Sequence, residues 1–173
     1  MPLRQGAAAA LHYAERLCMF PLGLVGLAVA TVIYPLLAEH AARGDVKRVA
    51  EDLTLGLRII LALAIPAGVG LMLLAEPITR LLFEYGQFNA EDTARTAQLM
   101  AAYGAGVWAI CAAPAIVRAY YALDDRRTPV FVGVGVMLLN VVGNLALVWF
   151  LAEVGLVAAT VAAASLQAVI LLA

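Results

Sequence analysis

Charge in this chain is confined to islands, and the stretches between them are long enough to cross a lipid bilayer. No Asp, Glu, Lys or Arg occurs in residues 17–38, 59–75, 96–117, 128–152 or 154–173, gaps of 22, 17, 22, 25 and 20 residues. A helix rises about 1.5 Å per residue and the hydrocarbon core is about 30 Å thick, so one crossing takes roughly 17–25 apolar residues. Five such gaps in 173 residues leave little chain for a water-soluble body. Charged residues make up only 13% of the chain and hydrophobic ones 65%, with a mean hydropathy of +0.96. That is far from a soluble composition, and the chain reads as an integral membrane protein.

The apolar runs are continuous and rich in Leu, Ala, Val and Gly. Barrel strands would instead alternate over short segments, so helices are expected. The predicted fold is an all-α, polytopic membrane helical bundle with about five transmembrane helices, at 7–38, 46–75, 90–123, 129–151 and 154–173, in a single membrane domain covering residues 1–173.

Several connections carry their own signals. Asp45 is a predicted N-cap, and Val46, Val49, Leu53 and Leu57 recur at helical spacing opposite Lys47, Arg48, Glu51 and Asp52. This amphipathic stretch is expected to lie along the interface before turning into the second helix. Glu76-Pro77 is expected to end that helix, and Ile78, Leu81, Leu82 and Tyr85 then form a short apolar face stopped at Gly86. Asn89 and Asp92 have capping-box spacing ahead of the third helix. After Asp124-Asp125-Arg126-Arg127, Thr128 is the expected cap of the fourth helix, with Pro129 in its first position.

Loop charge orients the bundle, because cytoplasmic connections collect Lys and Arg. Arg43, Lys47, Arg48, Arg58, Arg118, Arg126 and Arg127 fall on one side. Arg4, Arg80, Arg95 and, if outside the membrane, Arg16 fall on the other, with Glu76, Glu84, Glu91, Asp92 and Glu153. Residues 39–58 and 118–128 are therefore expected in the cytoplasm and the N-terminus outside. The opening Met-Pro-Leu-Arg-Gln-Gly is too short and polar for a signal peptide, and Leu171-Leu172-Ala173 ends without a charged exit. Both ends lead to the expectation of a piece of a longer transporter.

No Ser/His/Asp set, acid–base carboxylate pair, P-loop or glycine-rich nucleotide fingerprint can be assembled, so no enzyme is expected. No basic surface suggests nucleic acid. Cys18 and Cys111 lie inside spans without metal or redox spacing, and His12 and His40 are far apart, which argues against a transition-metal site. No cofactor is implied.

The most distinctive local feature is His12-Tyr13-Ala14-Glu15-Arg16, which runs straight into an apolar span. On a helix His12, Arg16 and Phe20 share a face, with Tyr13 and Gly23 beside it. A mid-bilayer arginine costs about 2.5–3.5 kcal/mol on insertion scales, so it normally faces a polar cavity or a partner. Alternatively, Arg16 snorkels to the outer surface and pairs with Glu15 or a lipid phosphate. Pro21, Pro35, Pro66 and Pro114 predict bent or broken helices. Asn140 and Asn144, one turn apart, suit interhelical hydrogen bonds. Gly104, Gly106, Gly133, Gly135, Ala158, Ala159, Ala162 and Ala163 suit close helix contact.

Together these residues resemble the MurJ/MviN family, the lipid II flippases of the MOP exporter superfamily. The segment Gly6–Asp45, "LLFEYGQFNAEDT" at 81–93 and "YALDDRRTPV" at 121–130 carry the resemblance, and "LNVVGNLALV" adds to it more weakly. Glu15 departs from the usual Asp, and Arg126 stands where a smaller residue is common. The resemblance implies helices eight to twelve of about fourteen, a partial second lobe of a MOP-type flippase in the bacterial inner membrane. The implied activity is outward movement of lipid II, the undecaprenyl-pyrophosphate-linked peptidoglycan precursor, by alternating access. It implies that Arg16 matches a cavity arginine that contacts substrate, with His12, Tyr13 and Glu15 as secondary candidates. The implied partners are membrane lipid, lipid II and the missing lobe of the same transporter, without which the isolated chain is expected to be inactive. The family's topology also places the first residues outside. The rival expectations are an exporter of lipid-linked oligosaccharides or drugs, or a non-transporting membrane scaffold.

Overall fold

The computed structural model describes residues 7–85 and 88–172, and all of its regular structure is helical. The helices are α1 (Ala7–Pro21), a π-helical segment (Leu22–Leu27), α2 (Ala28–Ala42), α3 (Val46–Leu73), α4 (Ala75–Phe83), α5 (Ala90–Gly104), α6 (Val107–Ala122) and α7 (Arg127–Leu172). Arg4 and Gly86 lie outside the described residues.

The first expected span is one rod, with Ala9–Ala42 long and apolar enough to cross a membrane. Pro21 has no N–H for the i→i−4 ladder, and the helix widens to π geometry immediately after it. Pro35, Pro66 and Pro114 neither end nor break a helix; they sit inside α2, α3 and α6. Packing against neighbouring helices holds such residues in membrane bundles.

Three expectations about boundaries are corrected. α3 runs straight through Val46–Leu73, so the amphipathic stretch is its first turns and not a separate interfacial segment. α3 ends before Ala75, and Pro77 sits in the first turn of α4, where a missing N–H costs no hydrogen bond. The fourth expected helix is capped by Asp125 rather than Thr128, since Asp125 Oδ1 accepts from the N–H groups of Arg127 and Thr128, each at 3.1 Å. Asp45 does cap α3, accepting from Arg48 N at 3.1 Å. Asn89 and Asp92 form a reciprocal capping box on α5.

The third expected helix is bent by 45° between α5 and α6. The bend falls at Ala105–Gly106, ahead of Pro114, where no regular ladder joins the two halves. α7 doubles back at Ala152, whose φ of 49° and ψ of −129° are not helical. Its arms run antiparallel. A Cβ on Gly155 would meet the Leu147 carbonyl and one on Gly143 would meet Ala159, while Asn140 Nδ2 approaches Thr160 Oγ1 at 3.5 Å. Counting each arm and the bent pair as one crossing gives five passages, and the chain is an all-α membrane helical bundle.

The core sits where α2, α3, α6 and the second arm of α7 meet, around Ile60, Ala64, Cys111, Ile116 and Ala168. A second cluster joins α1, α5 and α7 through Ala14, Cys18, Leu99, Met100 and Val157. Small residues allow close approach, which matters where lipid offers no hydrophobic drive between helices. Gly106 abuts Val161, but Gly133 and Gly135 meet nothing within 4 Å. Large apolar side chains face outward, with Trp149 and Phe150 74% and 86% exposed just before the Ala152 corner. Such a surface suits lipid, and aromatic residues favour the membrane interface.

The bundle has two ends. At one, Val46, Val49, Leu123, Leu171 and Leu172 line a common cleft, beside the turns at Gly44 and Asp124. At the other, Tyr13 meets Phe83 and Phe88, and Glu91 and Arg95 line a cleft with Ala152 and Glu153.

Candidate functional site

α1 is fixed at that second end. Ala10, Ala14 and Cys18 recur every four residues and are buried against α5. The opposite surface of the same helix is consequently left uncovered, and it carries His12, Glu15, Arg16, Met19 and Phe20, all exposed. Arg16 Nε donates to His12 Nε2 at 3.4 Å, a long contact. Among the described residues no carboxylate lies within ion-pair range of Arg16; Glu15, its neighbour in sequence, does not pair with it. The guanidinium keeps its charge and most of its five donors.

The face continues beyond Phe20 along the π-helical segment, where Gly23, Leu24 and Leu27 are exposed. Arg16 and His12 therefore form a polar pair at the head of a long apolar strip. This arrangement can hold an oxyanion attached to something apolar. It contains no nucleophile placed beside a base.

Tyr13 makes a contact that helical spacing does not foretell. Its ring packs on Phe83 at 4.6 Å between centroids and edge-on to Phe88 at 5.9 Å, so it braces α1 against the segment between α4 and α5. Nothing in residue spacing announced this contact, because Phe83 and Phe88 belong to a different segment. Thr93, buried in α5, donates to Glu84 at 2.8 Å, and Arg80 meets both Glu76 and Glu84. The Thr93–Glu84 bond ties the end of α4 to α5, while the Arg80 pairs run along α4 itself.

Of Asn140 and Asn144, only Asn140 makes the expected interhelical contact among the described residues. Asn144 Nδ2 donates to Asn140 Oδ1 at 2.9 Å, and Asn140 reaches Thr160 on the other arm.

The sequence profile of the family described as "Lipid II flippase MurJ" matches residues 2–173. A protein of Vibrio cholerae titled "Probable lipid II flippase MurJ" is 36% identical over 169 residues, covering 98% of this chain and 32% of that protein. One of Rhizobium meliloti with the same title is 38% identical over 171 residues, again 98% and 32% of the two chains. A solved structure titled "Lipid II flippase MurJ, inward closed conformation" superposes with a TM-score of 0.88 at 30% identity, over 98% of this chain and 36% of that one. The chain thus spans about a third of the length of the relatives it matches.

Proposed function

This chain belongs to the MurJ family of lipid II flippases, and from that premise we propose that it supplies part of a transporter moving lipid II from the cytoplasmic to the outer leaflet of the bacterial inner membrane. The remaining helices of such a transporter are its partner, and the cargo is the undecaprenyl-pyrophosphate-linked peptidoglycan precursor. Transport, not bond chemistry, is the activity.

Within that reading Arg16 contacts the headgroup pyrophosphate. A guanidinium is charged at every relevant pH, and its planar fork matches phosphate oxygens with two parallel hydrogen bonds. His12 orients the fork through Nε without neutralising it. Glu15 stands on the flank and disfavours a second anion, while Tyr13 positions the helix. The π-helical segment, Leu22–Leu27, lies between the two ends of the first rod. There it can absorb the rocking that exposes a midplane site to one side at a time. Residues 39–58 and 118–128 face the cytoplasm and the start of α1 faces outward.

The observation that carries this reading is the uncompensated Arg16 guanidinium at the head of an exposed apolar face. The test is growth of cells depleted of their own lipid II flippase and supplied with a complete transporter containing this segment. Rescue by the native sequence and failure by Arg16→Ala at equal expression are expected, with Arg16→Lys intermediate. Rescue by the alanine variant removes Arg16 from the mechanism.

A further inference from the structure

Arg118 lies on α6, five residues before Leu123, the C-cap that closes the helix. At about 1.5 Å per residue it stands roughly 7 Å inside the end of α6. It is half-buried, and with Thr31, Tyr34 and Tyr121 it lines an open cavity of about 380 Å³ between α2 and α6. Arg43, Arg48, Arg80 and Arg126 each reach a carboxylate. Arg118 does not: among the described residues its guanidinium makes no hydrogen bond or ion pair. The hydroxyls of Tyr34 and Tyr121, 42% and 46% exposed, are likewise unengaged. Thr31 already donates to the carbonyls of Leu27 and Ala28 at 2.9 and 2.8 Å, so it shapes the wall and supplies no proton.

Partial burial strips some water from the guanidinium, and an anion in the cavity would offset that loss through its unused donors. The cavity supplies guanidinium and phenol donors and no carboxylate, so the partner is an oxyanion. The surface next to it is apolar. Val32 and Leu36 on α2 are 70% and 44% exposed, so the anion carries hydrocarbon chains. From these observations we infer that Arg118, Tyr34 and Tyr121 form a phosphate-binding pocket for a lipid, at the end of the bundle opposite Arg16. The guanidinium takes two phosphate oxygens and the phenols donate to the remainder. The phosphate belongs either to a phospholipid diester or to a polyprenyl pyrophosphate. This inference does not depend on the transport reading, because it concerns retention and not movement.

The experiment is native mass spectrometry of the chain released from phosphatidylcholine nanodiscs containing either phosphatidylglycerol or undecaprenyl pyrophosphate. The native sequence should retain the anionic lipid over phosphatidylcholine. Arg118→Gln should lower that retention about tenfold, the scale of one charge-assisted bidentate contact. Arg118→Lys should fall between the two, and Tyr34→Phe combined with Tyr121→Phe should lower retention severalfold. If Arg118→Gln does not fold, the double tyrosine variant decides. A loss of both anionic lipids supports a pocket that reads phosphate in general. A loss of only one supports the pocket and names its source. Equal retention by native and variant chains, or no preference over phosphatidylcholine, overturns the inference. Failure of Arg16→Ala to impair growth would leave this result untouched.

Discussion

Gly68 and Gly104 meet backbone to backbone: a Cβ on Gly68 would stand 2.5 Å from the Gly104 carbonyl oxygen, and one on Gly104 would stand 2.9 Å from that of Gly68. This is where α3 crosses α5, just before the bend into α6. Neither carbonyl can move away without breaking its own helix. Gly68→Ala and Gly104→Ala should each destabilise the chain by about 1–3 kcal/mol, the usual cost of overpacking. Gly70, two residues on, meets nothing within 4 Å. Gly70→Ala should be neutral or gain about 0.5–1 kcal/mol from helix propensity. Thermal unfolding in detergent separates the three, and equal midpoints for Gly68→Ala and Gly70→Ala would contradict the crossing.

The corner of α7 rests on Ala152 at φ 49° and ψ −129°, a region open to glycine and strained for other residues. Such strain costs on the order of 1–3 kcal/mol. Ala152→Gly should raise stability by about 1 kcal/mol, after the extra unfolded-state entropy of glycine is subtracted. A lowered midpoint would mean that the arms do not fold back here.

Asp125 is held below the usual carboxylate range, first by the Thr128 hydroxyl and then by the Thr128 backbone N–H. A carboxyl depressed in the fold contributes stability above its ordinary pKa and loses it as pH falls through the folded value. Carbon-13 titration of the Asp125 side chain should therefore give a midpoint below 3.8. Thr128→Val should move the midpoint upward by removing the hydroxyl. No change on that substitution would show that the Thr128 hydroxyl does not hold the Asp125 carboxyl down.

The two ends of the bundle should lie on opposite sides of the membrane. Single cysteines at Arg43 or Arg126 should resist an impermeant thiol reagent added outside, and a cysteine at Glu91 should react. Native Cys18 and Cys111 are buried and give little background. Labelling of all three positions, or the reverse pattern, would overturn the proposed orientation.

Much of the bundle was legible because membrane spans and caps are written locally. Charge-free gaps marked the passages, and Asp45 and the Asn89–Asp92 pair marked two helix starts correctly. The bends were less legible. Pro114 looked like the natural break in the third span, yet the chain bends at Ala105–Gly106, because packing against α3 at Gly68 and Gly104 governs that path. The Ala152 corner has no glycine or proline, yet the lone charge at Glu153 between two neutral runs placed the break at 152–153. At the candidate site, His12 and Arg16 share a face as helical spacing requires. The turn of Tyr13 toward Phe83 and Phe88 depends on a contact between distant segments that no local pattern encodes. Arg118 entered the sequence reading only as a loop charge, since its cavity forms when α2 meets α6.

The most direct measurement is the appearance of newly made lipid II in the outer leaflet, read by its cleavage with an enzyme confined outside the cytoplasmic membrane. The cells would lack their own flippase and carry a complete transporter containing this segment. With Arg16 present, cleavage should return to the level of unmodified cells. Arg16→Ala at equal expression should lower it by about tenfold or more, as expected when a charge-assisted bidentate contact to pyrophosphate is lost. Cleavage undiminished in the alanine variant would contradict the assignment of this guanidinium to the headgroup.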